Sequence, residues 1–227
     1  MAHDHSRAIR AASGMNFCGL TFTLRAAIMS ELADQLEVLE MTPWEFGKPV
    51  ATDRLALRLM TSADVDDVHA WMSDPEVTRY LLHDPRERDD VAARVTDYAN
   101  ARALAAVGDY LQLAVELPGG PVIGSIYFTI SSVDDSTGEI GWAFNSRHHG
   151  KGYALEAATA MLELAFGPLG LHRVYAELDP RNASSIALCE RLGMRHEAHL
   201  LEHMWVKGEW TDTGIYALLA REWSARG

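Results

Sequence analysis

Apolar residues recur at two different periods along this 227-residue chain. From Ile28 to Leu39 they fall three or four apart (Ile28, Leu32, Leu36, Leu39). That is the spacing of an amphipathic helix, with Ser30 as its N-cap, acids on the other faces and Pro43 ending it. Over Asp53–Leu59 they alternate instead (Leu55, Leu57, Leu59), the period of a half-buried strand. A helix is expected over Ser62–Ser73, with Val65, Val68, His69 and Met72 on one side. Pro75 interrupts it, and a second helix is expected over Arg88–Ala105. Three strand-like runs follow, Tyr110–Glu116, Val122–Thr129 and Glu139–Phe144, divided by turns at Pro118-Gly119-Gly120 and Asp134–Gly138. Helix Ala154–Phe166, strand His172–Leu178 and helix Ser184–Leu192 come next. Strands Leu200–Lys207 and Ile215–Ala220 close the series around a turn at Gly208. This order predicts a mixed sheet with helices on its faces, an α/β (α+β) layer fold.

Residues 1–41 read as an extension carrying the amphipathic helix, packed on the body or on another subunit, which leaves a homodimer open. A leader upstream of a start near Met41 is the other reading. Residues 42–227 read as one domain. Composition changes this picture little: 48% hydrophobic and 23% charged residues suit a globular protein. Charge excludes more. Thirty-two acids against 20 basic residues give a net charge of -12, which argues against nucleic acid or an anionic membrane as partner. It suits a cationic acceptor, or simply solubility. Cys18 and Cys189 stand far apart, so neither a disulfide framework nor a zinc site is expected, and the cytoplasm is the default compartment. Met15–Leu24 is apolar and follows Arg7 and Arg10, faintly like a signal peptide, but Arg25 and the missing cleavage site oppose that reading. Of ten histidines, His196, His199 and His203 sit near acids, yet alternation puts the last two opposite the first. No metal set is expected.

One stretch departs from the acidic average. RHHGKGYALEA, Arg147 to Ala157, places two glycines and several basic side chains where a strand gives way to a helix. Such a turn gathers unpaired backbone N–H groups at the positive end of the helix dipole, a site for phosphate. Gly150 and Gly152 let backbone approach an anion where a side chain would block it. Arg147, Lys151 and a histidine add charge. The alternative is a turn that merely needs glycine. Neither the dinucleotide fingerprint nor the P-loop fits, because Leu155 stands where a third glycine belongs and no Ser or Thr follows Lys151.

The flanking segments resemble one family. RHHGKGYA after a strand ending GEIGWAF resembles the acyl-coenzyme A pyrophosphate loop of the GNAT N-acetyltransferase superfamily, with its R/Q-x-x-G-x-G/A signature. NASSIALCERLGM, Asn182 to Met194, is similar to that family's second block, N-x-x-S-x-x-x-x-E-K/R-L-G-F/M. VKGEWTDTGIYALL (Val206–Leu219), DRLALR and SDPEVTRYL resemble segments of its Rim-type branch, known for acetylating ribosomal-protein N-termini.

The resemblance implies a mostly antiparallel sheet of about six or seven strands, whose central parallel pair, Glu139–Phe144 and His172–Leu178, splays apart to admit the coenzyme. Acetyl-CoA is the implied co-substrate, with no metal. Backbone amides of His149, Gly150, Lys151, Gly152, Tyr153 and Ala154 would hold its pyrophosphate, with Arg147 at the entry. Ala143 and Phe144 would pair with its pantetheine arm, and Asn182 and Ser185 would touch that arm; Asn182 can also cap the following helix. The implied reaction moves acetyl to an amine, of a protein N-terminus or of a small molecule. Such an amine is protonated near pH 7 and needs a base. Glu177 is the first candidate and Glu139, on the neighbouring strand, the second. Tyr175 shares Glu177's face and joins Trp71 and Tyr80 as expected acceptor-pocket residues. Many family members carry a tyrosine where this chain has Cys189. Ser185 or a water would then protonate the leaving thiolate, a covalent acetyl-Cys189 route being a further option. A binding module without turnover is the alternative that the missing tyrosine leaves open.

Overall fold

The computed structural model describes residues 43–226. The helix expected from Ile28 and the signal-like segment lie outside them. In chain order come β1 (Trp44–Glu45), β2 (Val50–Ala51), β3 (Ala56–Leu59), a 3-10 turn at Ser62–Asp64, α1 (Val65–Met72), α2 (Pro75–Thr78) and α3 (Arg88–Asn100). Then follow β4 (Ala103–Leu104), β5 (Tyr110–Glu116), β6 (Val122–Ser132), β7 (Thr137–Phe144), a 3-10 turn at Ser146–His148 and α4 (Tyr153–Phe166). The rest is β8 (Arg173–Leu178), α5 (Ala183–Arg191), β9 (Arg195–Val206), β10 (Glu209–Leu219) and α6 (Ala220–Ser224). Among the described residues no helix is long and apolar enough to cross a membrane.

Eight strands form one sheet in the order β2-β3-β5-β6-β7-β8-β10-β9, and β1 pairs with β4 apart from it. Every pairing is antiparallel except that of β7 with β8. Alternation assigns the faces. On β5, Leu111, Leu113 and Val115 join the larger apolar cluster with Ala157, Ala158, Met161 and Ala165 of α4 and Leu188 of α5. Ala114, between them, joins the second cluster with Val65, Val68 and Trp71 of α1 and Val91 and Val95 of α3. Helices therefore cover both faces. The small side chains along α4 let that helix lie close to the sheet.

The eighth strand of the sheet is the two-residue β2, too short to carry a period. The helix expected to reach Ala105 ends at Asn100, because Ala101 leaves helical backbone with ψ 93°. Ala103–Leu104 then pair with Trp44–Glu45, and Leu104 is fully buried. Tertiary pairing here overrides the helix preference of an alanine-rich run. The first strand expected from Asp53 begins at Ala56, since a turn closes Thr52 onto Leu55 (Thr52 N–H to Leu55 carbonyl, 2.9 Å). At the far edge, β9 starts at Arg195 rather than Leu200. Its early residues are exposed and lack alternation, and pairing with β10 makes them a strand.

β7 and β8 form parallel rungs only at Thr137↔Arg173, Gly138↔Val174 and Glu139↔Tyr175. Beyond that rung β7 runs on to Phe144 and β8 to Leu178 with no pairing between them. On its other side β7 stays registered with β6 as far as Gly124↔Phe144. Gly124 permits that close approach, for a Cβ there would lie 2.5 Å from Phe144 Cδ1 and 2.6 Å from the Ala143 carbonyl oxygen. We expect Gly124→Ala to lower stability by about 1–3 kcal/mol through this overlap, read as a shift of the urea midpoint. An unshifted midpoint would contradict the contact.

Candidate active site

Where β7 and β8 part, a cleft of about 490 Å³ opens. Its walls include Trp71 of α1, Tyr80 in the turn after α2 and Tyr98 of α3, Glu139 and Ala143 from β7, Glu177 from β8, Asn182 and Ser185 at α5, and the β9–β10 hairpin. The gap joins the two faces of the sheet. Trp142 faces α5 and donates its indole N–H to Ser185 Oγ at 3.2 Å. Ala143, one residue on, and Glu139, three residues back, fall on the opposite side of the pleat, and Ala143 packs against the α1 and α3 cluster.

Glu139 stands on the last paired rung, half-buried, and accepts a hydrogen bond from the Tyr175 hydroxyl at 3.3 Å. Burial pushes its carboxyl above the ordinary carboxylate range, and the nearby Glu177 charge pushes the same way, against the Tyr175 hydrogen bond. Glu177 lines the same cleft but is exposed. Of the expected acceptor-side residues, Trp71 and Tyr80 line the cleft, while Tyr175 reaches it through Glu139. Of the cations lining the cleft, Arg181 is engaged by Asp179 at 2.7 Å and by Glu209 at 2.9 Å, while Arg79 and Lys207 form no ion pair among the described residues. Glu139 and Glu177 form no ion pair among the described residues.

The glycine loop leaves the end of β7 and starts α4. Gly150 has φ 74° and Gly152 φ 82°, the left-handed region that favours glycine. Among the described residues the backbone N–H groups of Gly150, Lys151, Gly152, Tyr153 and Ala154 find no acceptor. They sit at the positive end of a 14-residue helix. The amide of His149 is different: it already donates to the Ser146 carbonyl at 3.1 Å. The His149 ring hydrogen-bonds the Phe144 carbonyl through Nε2 at 2.9 Å, so that nitrogen carries the hydrogen. Ala143 lines the cleft; Phe144 does not, and its side chain is buried. Of the amides expected to face the pyrophosphate, that of His149 is thus engaged locally, while the Phe144 carbonyl, with one bond from the His149 ring, keeps a second lone pair. Arg147 is exposed beside the loop, and Lys151 Nζ donates to the Arg147 carbonyl at 3.2 Å.

Asn182 caps α5: its Oδ1 accepts from the Ser184 hydroxyl at 2.7 Å and the Ser185 amide at 3.1 Å. Ser185 Oγ, accepting from Trp142, donates to no group among the described residues. Cys189 is fully buried, and burial pushes its thiol up to about 12. The three histidines that drew a metal reading are dispersed: His196 stacks on Tyr216 at 4.9 Å, His199 meets Asp212 at 2.8 Å, and His203 meets Thr213 at 3.0 Å.

Several residues with a bearing on the site carry no sequence signal of their own. Lys207, with Gly208, forms the two-residue turn of the β9–β10 hairpin, at φ 51° and 83°. Its ammonium donates to the Thr78 carbonyl at 2.5 Å and lies 3.4 Å from that of Arg79, tying the hairpin tip to the end of α2. Thr52 and Arg54 reach Glu156 in the first turn of α4. Burial pushes the Glu156 carboxyl up, but hydrogen bonds from both residues outweigh it and hold the group below its ordinary value. Arg54 lies in the DRLALR segment, yet nothing in that pattern names its partner.

A family model for the acetyltransferase (GNAT) domain matches residues 54–195. A Bacillus subtilis protein described as an uncharacterized N-acetyltransferase, YnaD, is 33% identical over 77% of this chain and 99% of its own length. A second, the uncharacterized N-acetyltransferase p20 of Bacillus licheniformis, is 31% identical over 76% of this chain and 97% of its own. The crystal structure of a GNAT-family acetyltransferase from Bacillus anthracis superposes with a TM-score of 0.69 at 31% identity, covering 77% of this chain and all of that one. The chain belongs to the GNAT acetyltransferase family. Its activity is acetyl-CoA-dependent N-acetylation of an amine, an acyl transfer, which removes the reading as a binding module without turnover.

The buried thiol gives a direct test at this site. Cys189 should resist iodoacetamide at pH 8 in the folded protein and react after unfolding, followed by mass spectrometry. Cys189→Ala should keep most of the turnover; its complete loss would return the thiol to consideration.

Proposed function

We propose that Glu139 takes the proton from the acceptor amine and that the reaction proceeds by direct attack in a ternary complex. The observation that carries this reading is the position of Glu139 at the fork of β7 and β8, half-buried and without a cationic partner among the described residues. Acetyl-CoA, when bound, supplies a thioester carbonyl as the electrophile. The five unpaired amides from Gly150 to Ala154 suit its pyrophosphate, with Arg147 and Lys151 adding charge. Ala143 and Asn182 line the cleft at the fork, where the acyl arm would lie. The Ser185 hydroxyl, with its own hydrogen uncommitted, is placed to protonate the departing thiolate.

Acceptor recognition falls to the other face of the sheet. A protonated amine is drawn in by Glu139 and Glu177 and flanked by the aromatic surfaces of Trp71 and Tyr80. Tyr175 orients the Glu139 carboxylate, while the Glu177 charge makes it a stronger base. This chemistry fits the amine of a protein N-terminus or of a small molecule. Cys189 takes no part, since a thiol with a pKa of about 12 in the core supplies almost no thiolate near neutrality. The sparse cysteines favour a cytoplasmic setting.

Incubation with acetyl-CoA and a panel of N-terminal peptides, polyamines, amino acids and aminoglycosides should release coenzyme A thiol and give a product heavier by one acetyl group. Silence across the panel would count against the assignment of the site.

Glu139→Gln should lower kcat/KM by about 10²- to 10⁴-fold. The sign of the pH dependence follows from the base acting in its ionised form. Activity falls as pH drops through the Glu139 pKa, which lies above the usual carboxylate range. Glu177→Gln removes a like charge, so it should move this acid limb to lower pH without abolishing it. An acid limb that survives Glu139→Gln and vanishes in Glu177→Gln would transfer the role to Glu177.

Gly150→Asp should abolish coenzyme A binding in titration calorimetry, because a side chain and a negative charge enter the anion site and φ 74° disfavours any non-glycine residue. Unchanged affinity would show that the loop is not the coenzyme site.

A further inference from the structure

Arg54 lies 97 residues before Lys151, yet its guanidinium spans the glycine loop. Its Nε and Nη2 bind Glu156 Oε2 at 2.7 and 2.6 Å. Its Nη1 donates to the Lys151 carbonyl at 3.0 Å, and its charged carbon lies 4.9 Å from the Tyr153 ring centroid. The second oxygen of Glu156 is also committed, accepting from the Arg54 amide at 2.8 Å and the Thr52 hydroxyl at 2.5 Å. Strand entry, loop and helix start thus meet in one fork-shaped contact.

The contact with the Lys151 carbonyl matters most. In a trans peptide the carbonyl of one residue and the N–H of the next point in opposite directions within one rigid plane, and no described peptide bond is cis. A guanidinium that holds the Lys151 carbonyl therefore also sets the direction of the Gly152 N–H, which must point away from Arg54. Gly152 itself stands at φ 82°, a conformation that favours glycine, and a Cβ there would sit in ordinary contact with Arg54 Nη2 at 3.4 Å. An ordinary surface ion pair would need none of this geometry. With the Arg54 side chain 49% exposed, its pairing with Glu156 contributes little to stability by charge alone.

We propose that Arg54 is a positioning residue of the coenzyme site, locking the Lys151–Gly152 peptide so that the Gly152 amide faces the pyrophosphate, while Glu156 and Thr52 hold the guanidinium in place. The inference rests on the reading of the loop as the coenzyme site. It differs from a direct phosphate contact, in which the positive charge alone would suffice. Lysine keeps the charge but has neither the planar fork nor the reach to bind Glu156 and a carbonyl at once.

The experiment compares wild type, Arg54→Met, Arg54→Lys and Glu156→Gln. Coenzyme A affinity is measured by titration calorimetry and melting temperature by calorimetric scan. The third readout is the ratio of kcat/KM for acetyl-CoA to that for S-acetylpantetheine, a thioester donor without the pyrophosphate. Both Arg54 variants should weaken coenzyme A binding about tenfold, lower the ratio to match, and melt close to wild type. Glu156→Gln should shift both readouts in the same direction without altering the loop itself. Unchanged affinity in Arg54→Met sinks the inference, as does full rescue by Arg54→Lys. A loss shared equally by both donors overturns it too, since that would mark general damage to the fold. Wild-type protein that binds no coenzyme A would remove the coenzyme-loop reading and this inference together. Wild-type binding that is left intact by Arg54→Met would remove this inference alone.

Discussion

From Ile140 to Phe144, strand β7 has a hydrogen-bonded neighbour on one side and none on the other, and the site is organised around that missing ladder. Backbone polar groups in the middle of a sheet are costly to leave unpaired. The parting is held open by what lies on either side of it. β6 keeps β7 through Gly124↔Phe144, and β10 keeps β8 through six rungs from Arg173 to Leu178. Each half is anchored outward, so neither strand can swing across to heal the gap. Glu139 and Tyr175 occupy the fork itself, which explains why a carboxylate at this position is half-buried while Glu177, two residues further along the splayed β8, is exposed. The same parting joins the two faces of the sheet, with Ser185 and Trp142 on one and Glu139 with the aromatic wall on the other.

Charge is distributed to match. The chain is strongly acidic overall, but its loop before α4 gathers unpaired amides and basic side chains, whereas the cleft beyond the fork keeps carboxylates unpaired and neutralises Arg181 with two acids.

Much of this was legible in the residues. The strand-like run Tyr110–Glu116 coincides with β5, and the glycine turn read at Arg147–Ala157 does lie between a strand and a helix, with Gly150 and Gly152 at positive φ. The rest was hidden for definite reasons. Period-two patterning reports which side chains share a face, not which backbone rungs are paired, so residue spacing alone located neither the fork nor the difference in burial between Glu139 and Glu177. Only the family resemblance suggested a splayed pair. Two-residue strands such as Val50–Ala51 and Ala103–Leu104 are too short to carry a period and exist because a partner is there. Arg54 and Glu156 sit 102 residues apart, and no local rule links them. His149 looked like an amide donor to phosphate because a motif is read as a string; the turn at Ser146–His148 spends that amide before any ligand arrives.

The sheet order β8-β10-β9 carries one further consequence. β10 follows both of its neighbours in sequence and yet lies between them. Until residues 209–219 are synthesised, β8 presents a bare edge beside the gap, and β9 has no partner to define it. A nascent chain can therefore hold the glycine loop, Glu139 and the three early helices and still lack a fixed second half of the fork. Completion of the cleft therefore requires β10 to take an interior slot between two strands that precede it in the chain.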